Sequence, residues 1–192
     1  MNFVFGANIP LQGGQYGNAV LSRFPITAST NHFLPCLEDG EQRGVIEVQL
    51  EIAATKETVT LYATHLDHRR ADQERIESAM FINKLSKKLG QKPALLAGDL
   101  NAVPTSEVLQ QFKSVWTSAN KEPIATIPVK SPSRQIDYVL FRPPARWRIT
   151  ETMSIDEPVA SDHLPILTEL ELQQRSNVEP LLRMRSAVSP DS

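Results

Sequence analysis

The sequence predicts a layered α+β domain. Three observations carry that reading. Short apolar runs repeat with a period of two, one long run between them repeats at three and four residues, and the chain has 192 residues. About 150 residues make one domain, so this length fits one rather than two. Strands, helix, strand, helix and strands follow in that order, and such elements bury their faces by stacking in layers.

Each element has its own signal. Residues 1–16 are Gly-rich and weakly patterned. Asn18 to Leu21 is a short apolar run closed by Ser22-Arg23-Phe24-Pro25, which predicts a strand and a turn. Ile46, Val48, Leu50 and Ile52 alternate with Glu47, Gln49 and Glu51, the mark of a strand with one buried and one wet face. Thr58 to Thr64 repeats the pattern, and the polar stretch Ala53 to Glu57 joins the two as an antiparallel pair. Ala71 to Leu89 predicts a helix whose stripe is Ile76, Ala79, Ile82, Leu85 and Leu89. Acids lie near its start and Lys84, Lys87 and Lys88 near its end, which suits the helix dipole, and Gly90 is a natural stop. Ala94 to Ala97 is a short apolar strand before Gly98-Asp99, and Thr105 to Phe112 a short helix. After a proline-spaced loop, Glu122 to Pro132, come strands over Gln135 to Phe141, Arg146 to Thr152 and Leu164 to Leu172. The polar tail, residues 173–192, is expected to be disordered. No internal repeat is present.

Composition narrows the function. Hydrophobic residues are 41% and charged residues 22%, which excludes disorder or coiled coil for most of the length. The net charge of −2 argues against a protein that coats nucleic acid. No apolar run is long enough for a membrane-spanning helix. The first residues lack a basic segment followed by a long apolar one, so no signal peptide is read and a cytoplasmic location is expected. The single cysteine, Cys36, excludes an internal disulfide framework and a cysteine metal site, which weakens any zinc reading built on His65 and His68.

Polar chemistry gathers at strand ends: Thr64-His65-Leu66-Asp67-His68, Gly98-Asp99-Leu100-Asn101, Ile136-Asp137-Tyr138 and Ser161-Asp162-His163. A Gly-Asp-x-Asn turn is also ordinary turn chemistry, and a lone histidine is more often a surface residue than a catalyst. Asp137 differs because it interrupts an apolar run. A buried carboxylate needs a partner, and a histidine can supply one. Carboxylates with amide oxygens suit Mg²⁺ or Mn²⁺. A histidine beside a carboxylate can be held protonated and donate to a phosphate oxygen. An unpaired Asp can orient and activate water. Together these are the parts of metal-assisted phosphoester hydrolysis.

Six stretches resemble the endonuclease/exonuclease/phosphatase superfamily, the DNase I-like phosphoesterases. They are GNAVLSRFPI (17–26), THLD (64–67), ERIESA (74–79), LLAGDLNAVPTS (95–106), QIDYVLF (135–141) and SDHLPILTEL (161–170). They occur in the family's order over roughly residues 14–172. The resemblance implies a four-layer α/β/β/α sandwich and a divalent cation, Mg²⁺ or Mn²⁺. It implies that His163 acts on the scissile phosphate with Asp137 holding its ring. Asp99 would orient or deprotonate water, Asn101 would position it, Asp162 would serve the metal and His65 would be a second phosphate clamp. Arg23 and Asn18 fall at substrate-facing positions, Asn18 with a mainly structural reading. His68 and Arg69 extend the THLD loop, where they could select substrate.

Two family motifs have no counterpart here. One is an opening strand with an Asn; the other is a strand ending in Gln-Glu that carries the principal metal ligand. Residues 1–172 therefore read as a partial domain, with open sheet edges and an uncovered apolar face expected. A fragment or a wrongly chosen start is the favoured explanation. A truncated product, or a partner that supplies the missing part, are the others. The function expected is hydrolysis of a phosphoester, nucleic acid included, by in-line attack of water. The alternative is an impaired domain that binds a phosphorylated ligand or a protein partner.

Overall fold

The first sixteen residues, weakly patterned as sequence, begin a hairpin. In the computed structural model, which describes residues 1–37 and 40–174, β1 (Asn2–Leu11) pairs antiparallel with β2 (Gly14–Ser22). The two-residue turn between them puts Gln12 at φ 48 and Gly13 at φ 80. Two successive positive φ values twist a turn the way paired strands twist. Pro10 is tolerated because β1 is an edge, and a bulge between Ala7 and Ile9 absorbs Asn8.

The central element is a six-stranded sheet. It contains β3 (Ile26–Phe33), β4 (Gly44–Ile52), β5 (Glu57–His65), β6 (Ala94–Asp99), β7 (Thr117–Ser118) and β8 (Asp137–Arg142), in the order β3-β4-β5-β6-β8-β7. The predicted pair is present as β4 and β5, antiparallel, with Val48 opposite Leu61. Only β5 and β6 run parallel, which requires a crossover. Helix α1 (Gln73–Lys87) supplies it, and α2 (Glu107–Lys113) packs against α1. The last strands, β9 (Trp147–Ser154) and β10 (Ile166–Leu172), form a second antiparallel ribbon that touches β8.

Side-chain alternation assigns the layers. Tyr62, Leu96, Tyr138 and Leu140 point to the helix side and pack with Ala79, Ile82, Val108, Phe112 and Trp116. Ile46, Val48 and Leu50 point to the other side, where they meet Val20 and Val4 of the first ribbon. Each fully buried Val, Leu, Ile or Phe side chain among these contributes about 1.5–3 kcal/mol. The layered α+β sandwich is therefore present, with its second sheet split into two ribbons. The wet face expected for β4 is in fact half-covered, and Glu47 there is paired with His32 at 2.9 Å.

Helix α1 shows a further difference. Its predicted apolar stripe is rotated, and the buried face holds Glu74, Arg75, Ser78, Ala79, Ile82, Asn83 and Ser86. The polar members are bonded. Glu74 Oε2 accepts from the Leu37 N–H and from Arg69, Arg75 donates to the carbonyls of Asp67 and Arg69, and Asn83 joins Gln111 O to the Trp116 indole N–H. These bonds offset much of the cost of polar burial, although Glu74 Oε1 and Arg75 Nε have no hydrogen-bond partner among the described residues. Gly90, at φ 58, ends the helix as expected.

β2 pairs with β1 alone and β10 with β9 alone. Beside β2, a groove of about 380 Å³ runs over Leu61, Ala63, Ala97 and Gly98 of the central sheet. The open edges and the uncovered face expected from the sequence are thus present. The segment 175–192, where most of the predicted tail falls, lies outside the described residues.

Gly98 carries the tightest local demand. Its φ is +148, and a Cβ built there would lie 1.8 Å from the Thr64 carbonyl oxygen. Neither strand can move without breaking the β5–β6 pairing. Gly98→Ala is expected to lower unfolding free energy by about 3 kcal/mol or more, measurable as a fall in the urea midpoint; an unchanged midpoint would contradict this account of the strand contact.

Candidate active site

Strand register builds the site. His65 ends β5, Asp99 ends β6 and Asp137 begins β8. His65 is the pairing partner of Asp99, and Asp99 of Asp137. Three adjacent strands thus set three functional side chains in one row on the face away from the helices. The Asp-x-Asn turn after β6 brings in a fourth. Asn101 holds φ 47, a left-handed value that Asn tolerates, its N–H donates to Asp99 Oδ1 at 2.7 Å and its amide donates to Leu66 O. His163 enters from the loop before β10, and its Nδ1 lies 2.9 Å from Asp137 Oδ2. The partner required by Asp137 is therefore the histidine that the sequence suggested. Thr126 Oγ1 donates to the same oxygen at 2.6 Å.

Donor atoms of Asp99, Asp137 and His163 all fall within 4.8 Å of one another, close enough to share one cation. Asp99 and His163 line a cavity of about 680 Å³ together with His65, Asn101, Asp162, Tyr16, Glu41, Arg43, His68 and Arg134, and Asp137 stands behind them as the partner of His163. Two carboxylates with an adjacent amide fit a hard divalent ion.

The other expected residues are placed differently. Asp162 lines the cavity but is exposed, and its carboxylate meets Ser161 Oγ at 3.3 Å. The Asn18 amide donates to Gly44 O, which pins the first ribbon to β4 and gives it the structural role. Arg23 is exposed in the turn after β2, at the end of the ribbon opposite Tyr16, and does not line the cavity. Sequence reading missed Tyr16, Glu41, Arg43 and Thr126. Arg43 alone carried a signal, as a charge immediately before the apolar alternation of β4.

Electrostatics divide the four central groups. Burial pushes the Asp99 carboxyl up to about 6; the Asn101 N–H opposes this and the neighbouring Asp137 charge adds to it. His65 is pushed down to about 4, first by burial and then by the charges of Arg43, His163 and His68. Its Nε2 lies 3.4 Å from Asp99 Oδ2, a contact that is an ion pair only with a charged ring. Burial and the neighbouring cations outweigh that long contact, so His65 is neutral at pH 7. The neutral ring fits its partners: the Tyr16 hydroxyl, 3.2 Å away, donates to Nδ1, and Nε2–H faces Asp99.

A sheet sandwich that lines up carboxylates and imidazoles at its strand ends has the architecture of the DNase I-like fold. The family model for the endonuclease/exonuclease/phosphatase family matches residues 2–163, and the chain belongs to that family of phosphoester hydrolases. It is 27% identical over 176 residues to the uncharacterized protein YbhP of Escherichia coli K12, covering 89% of this chain and 69% of that one. Among solved structures it resembles a Bacteroides thetaiotaomicron mannosyl-6-phosphatase, with TM-score 0.75, 19% identity and coverage of 88% of this chain and 77% of that one. It also resembles the human Nocturnin catalytic domain with bound sulfate, with TM-score 0.74, 19% identity and coverage of 90% and 72%. The family is generally divalent-metal dependent. No helix among the described residues is long and apolar enough to cross a membrane.

The raised Asp99 value has a consequence for stability. Its folded value, about 6, lies above the ordinary 3.8. The stabilisation from a neutral Asp99 is full below 3.8 and is lost as pH rises through 6, so the ionised carboxylate costs stability at neutral pH. Asp99→Asn is expected to stabilise the metal-free protein by about 2 kcal/mol near pH 7.5 and to change little below pH 4. Urea unfolding at the two pH values reads this, and destabilisation at both would refute it.

Proposed function

We propose that the protein hydrolyses phosphoesters by in-line attack of water, assisted by Mg²⁺ or Mn²⁺. The convergence of donor atoms of Asp99, Asp137 and His163 within 4.8 Å of one another, beside a cavity that Asp99 and His163 line, carries this reading. Oxygens of Asp99 and Asp137 would hold the cation, with Asp162 on the exposed rim. When bound, the cation polarises a phosphoryl oxygen and offsets developing charge.

The protein's own residues do the rest. Asp99, ionised above about pH 6, accepts the proton of the attacking water. Asn101 is locked by its N–H, which donates to Asp99 Oδ1, and by its amide, which donates to Leu66 O, and it orients that water. His163 donates Nδ1–H to Asp137, and its imidazolium form donates from Nε2 to a phosphate oxygen. Thr126 fixes the Asp137 carboxylate from the other side, so the ring direction is set before substrate arrives. Neutral His65, held between Tyr16 and Asp99, keeps the base aimed into the cavity. Nucleic acid is one carrier of such esters, although the −2 net charge favours small ones.

One observation favours a second reading. The sheet face next to Asp99, over Ala63, Ala97 and Gly98, is uncovered. A site with so open a flank would hold a phosphorylated ligand or a protein partner without efficient turnover.

Hydrolysis of bis-p-nitrophenyl phosphate should depend on added Mg²⁺ or Mn²⁺ and be abolished by a chelator. His163→Ala and Asp99→Ala should each lower kcat about 100-fold or more without unfolding the chain. Asp137→Asn should lower it less, because the ring keeps an acceptor. Inorganic phosphate binding with no metal-dependent turnover would favour the second reading. The rate should rise with an acid limb at or below about pH 6, as Asp99 loses its proton.

A further inference from the structure

The cavity has a cationic wall that the reaction above does not use. Arg43 stands at the entry to β4 and is almost wholly buried, with 4% of its side chain exposed. Its Nη2 donates to Glu41 Oε2 at 2.8 Å and to His68 Nδ1 at 3.1 Å, and its guanidinium lies 5.9 Å from the centre of the Tyr16 ring. Its Nε and Nη1 have no hydrogen-bond partner among the described residues. A buried guanidinium with unused donors is costly unless an anion meets it.

The carboxylate that meets this guanidinium does so at Nη2 alone. Glu41 is half-exposed, with 49% of its side chain open, and its Oε2 is also 3.9 Å from His68 Nδ1. Arg43 therefore holds a carboxylate oxygen, with His68 beside it, at the rim of the cavity that Asp99 and His163 line. The Tyr16 ring that lies beneath Arg43 also carries the hydroxyl that bonds His65, so the wall adjoins the reacting centre.

We propose that Arg43 and His68 form a second anion subsite, which takes a second phosphate group of a small doubly phosphorylated ester, and that Glu41 occupies it until substrate displaces it. The proposal rests on the phosphoester reading for the class of ligand. A planar guanidinium backed by an aromatic face suits phosphate. The cavity, about 680 Å³, has the size of a small-molecule site rather than a polymer track.

Glu41 competes with the ligand and Arg43 recruits it, so their variants should move in opposite directions. The probes are glucose 1,6-bisphosphate and glucose 6-phosphate, read by calorimetric binding without metal and by kcat/KM with Mg²⁺. Glu41→Gln should tighten the bisphosphate about tenfold, and Arg43→Lys should weaken it about tenfold, the effect of one charge-assisted contact. The monophosphate should change less than threefold in both, and unfolding midpoints should confirm that both variants are folded. His68→Gln, on an exposed side chain, repeats the weakening should Arg43→Lys fail to fold. Equal effects on the two esters, or bisphosphate binding that ignores all three substitutions, would overturn the subsite. So would a short single-stranded DNA that responds in place of the bisphosphate. Binding that responds as expected without any hydrolysis would uphold the subsite and refute the hydrolytic reading instead.

Discussion

One line of backbone pairing holds the site together: His65 to Asp99 to Asp137, across β5, β6 and β8. Residues in register on neighbouring strands share a face, so three groups from distant parts of the chain meet with no loop to position them. The pairing needs Gly98 beside Thr64, where a Cβ has no room. It also needs the α1 crossover, because β5 and β6 run parallel. The helix core of Tyr62, Leu96, Phe112 and Trp116 clamps that crossover onto the sheet. A slip of one residue between β5 and β6 would turn Asp99 to the helix side and leave a carboxylate in the core.

The same row explains the unusual ionisation. Two carboxylates and two imidazoles crowd the end of a buried sheet, where charge is poorly solvated. Asp99 answers by binding its proton more tightly and His65 by losing its own. The fold thus stores an electrostatic cost at this spot, as functional sites often do. A cation or a phosphate relieves different parts of it. The Arg43 wall repeats the logic with opposite sign: a buried cation shielded by a half-exposed carboxylate.

The ribbons set the boundary of the site. Asn18 pins the first ribbon to Gly44, and Tyr16 reaches from that ribbon to His65. The second ribbon follows the loop that carries Asp162 and His163. In both, each strand is paired on one side alone, and the central sheet beside β2 is uncovered at Gly98. Catalytic geometry and an open flank therefore occur in the same molecule, because the site row belongs to the central sheet and the flank to the ribbons.

Residue patterns by themselves determined the strands with strong alternation, the α1 and α2 helices, and the strand-end clusters with their phosphoester chemistry. Those signals are local, and burial on one face is enough to write them. β1 and β3 stayed hidden, since Gly6, Asn8 and Pro10 interrupt one and the other is a mostly polar edge strand, ITASTNHF. The rotation of α1 was hidden too, because Glu74 and Asn83 are buried against partners far along the chain and Arg75 against carbonyls of the loop before the helix. Only the tertiary structure decided that Arg23 stands away from the cavity while Arg43, Glu41 and Tyr16 line it. It also decided which histidine is neutral. Position in a cavity and proton affinity both depend on neighbours brought together by strand pairing, and no local pattern encodes them.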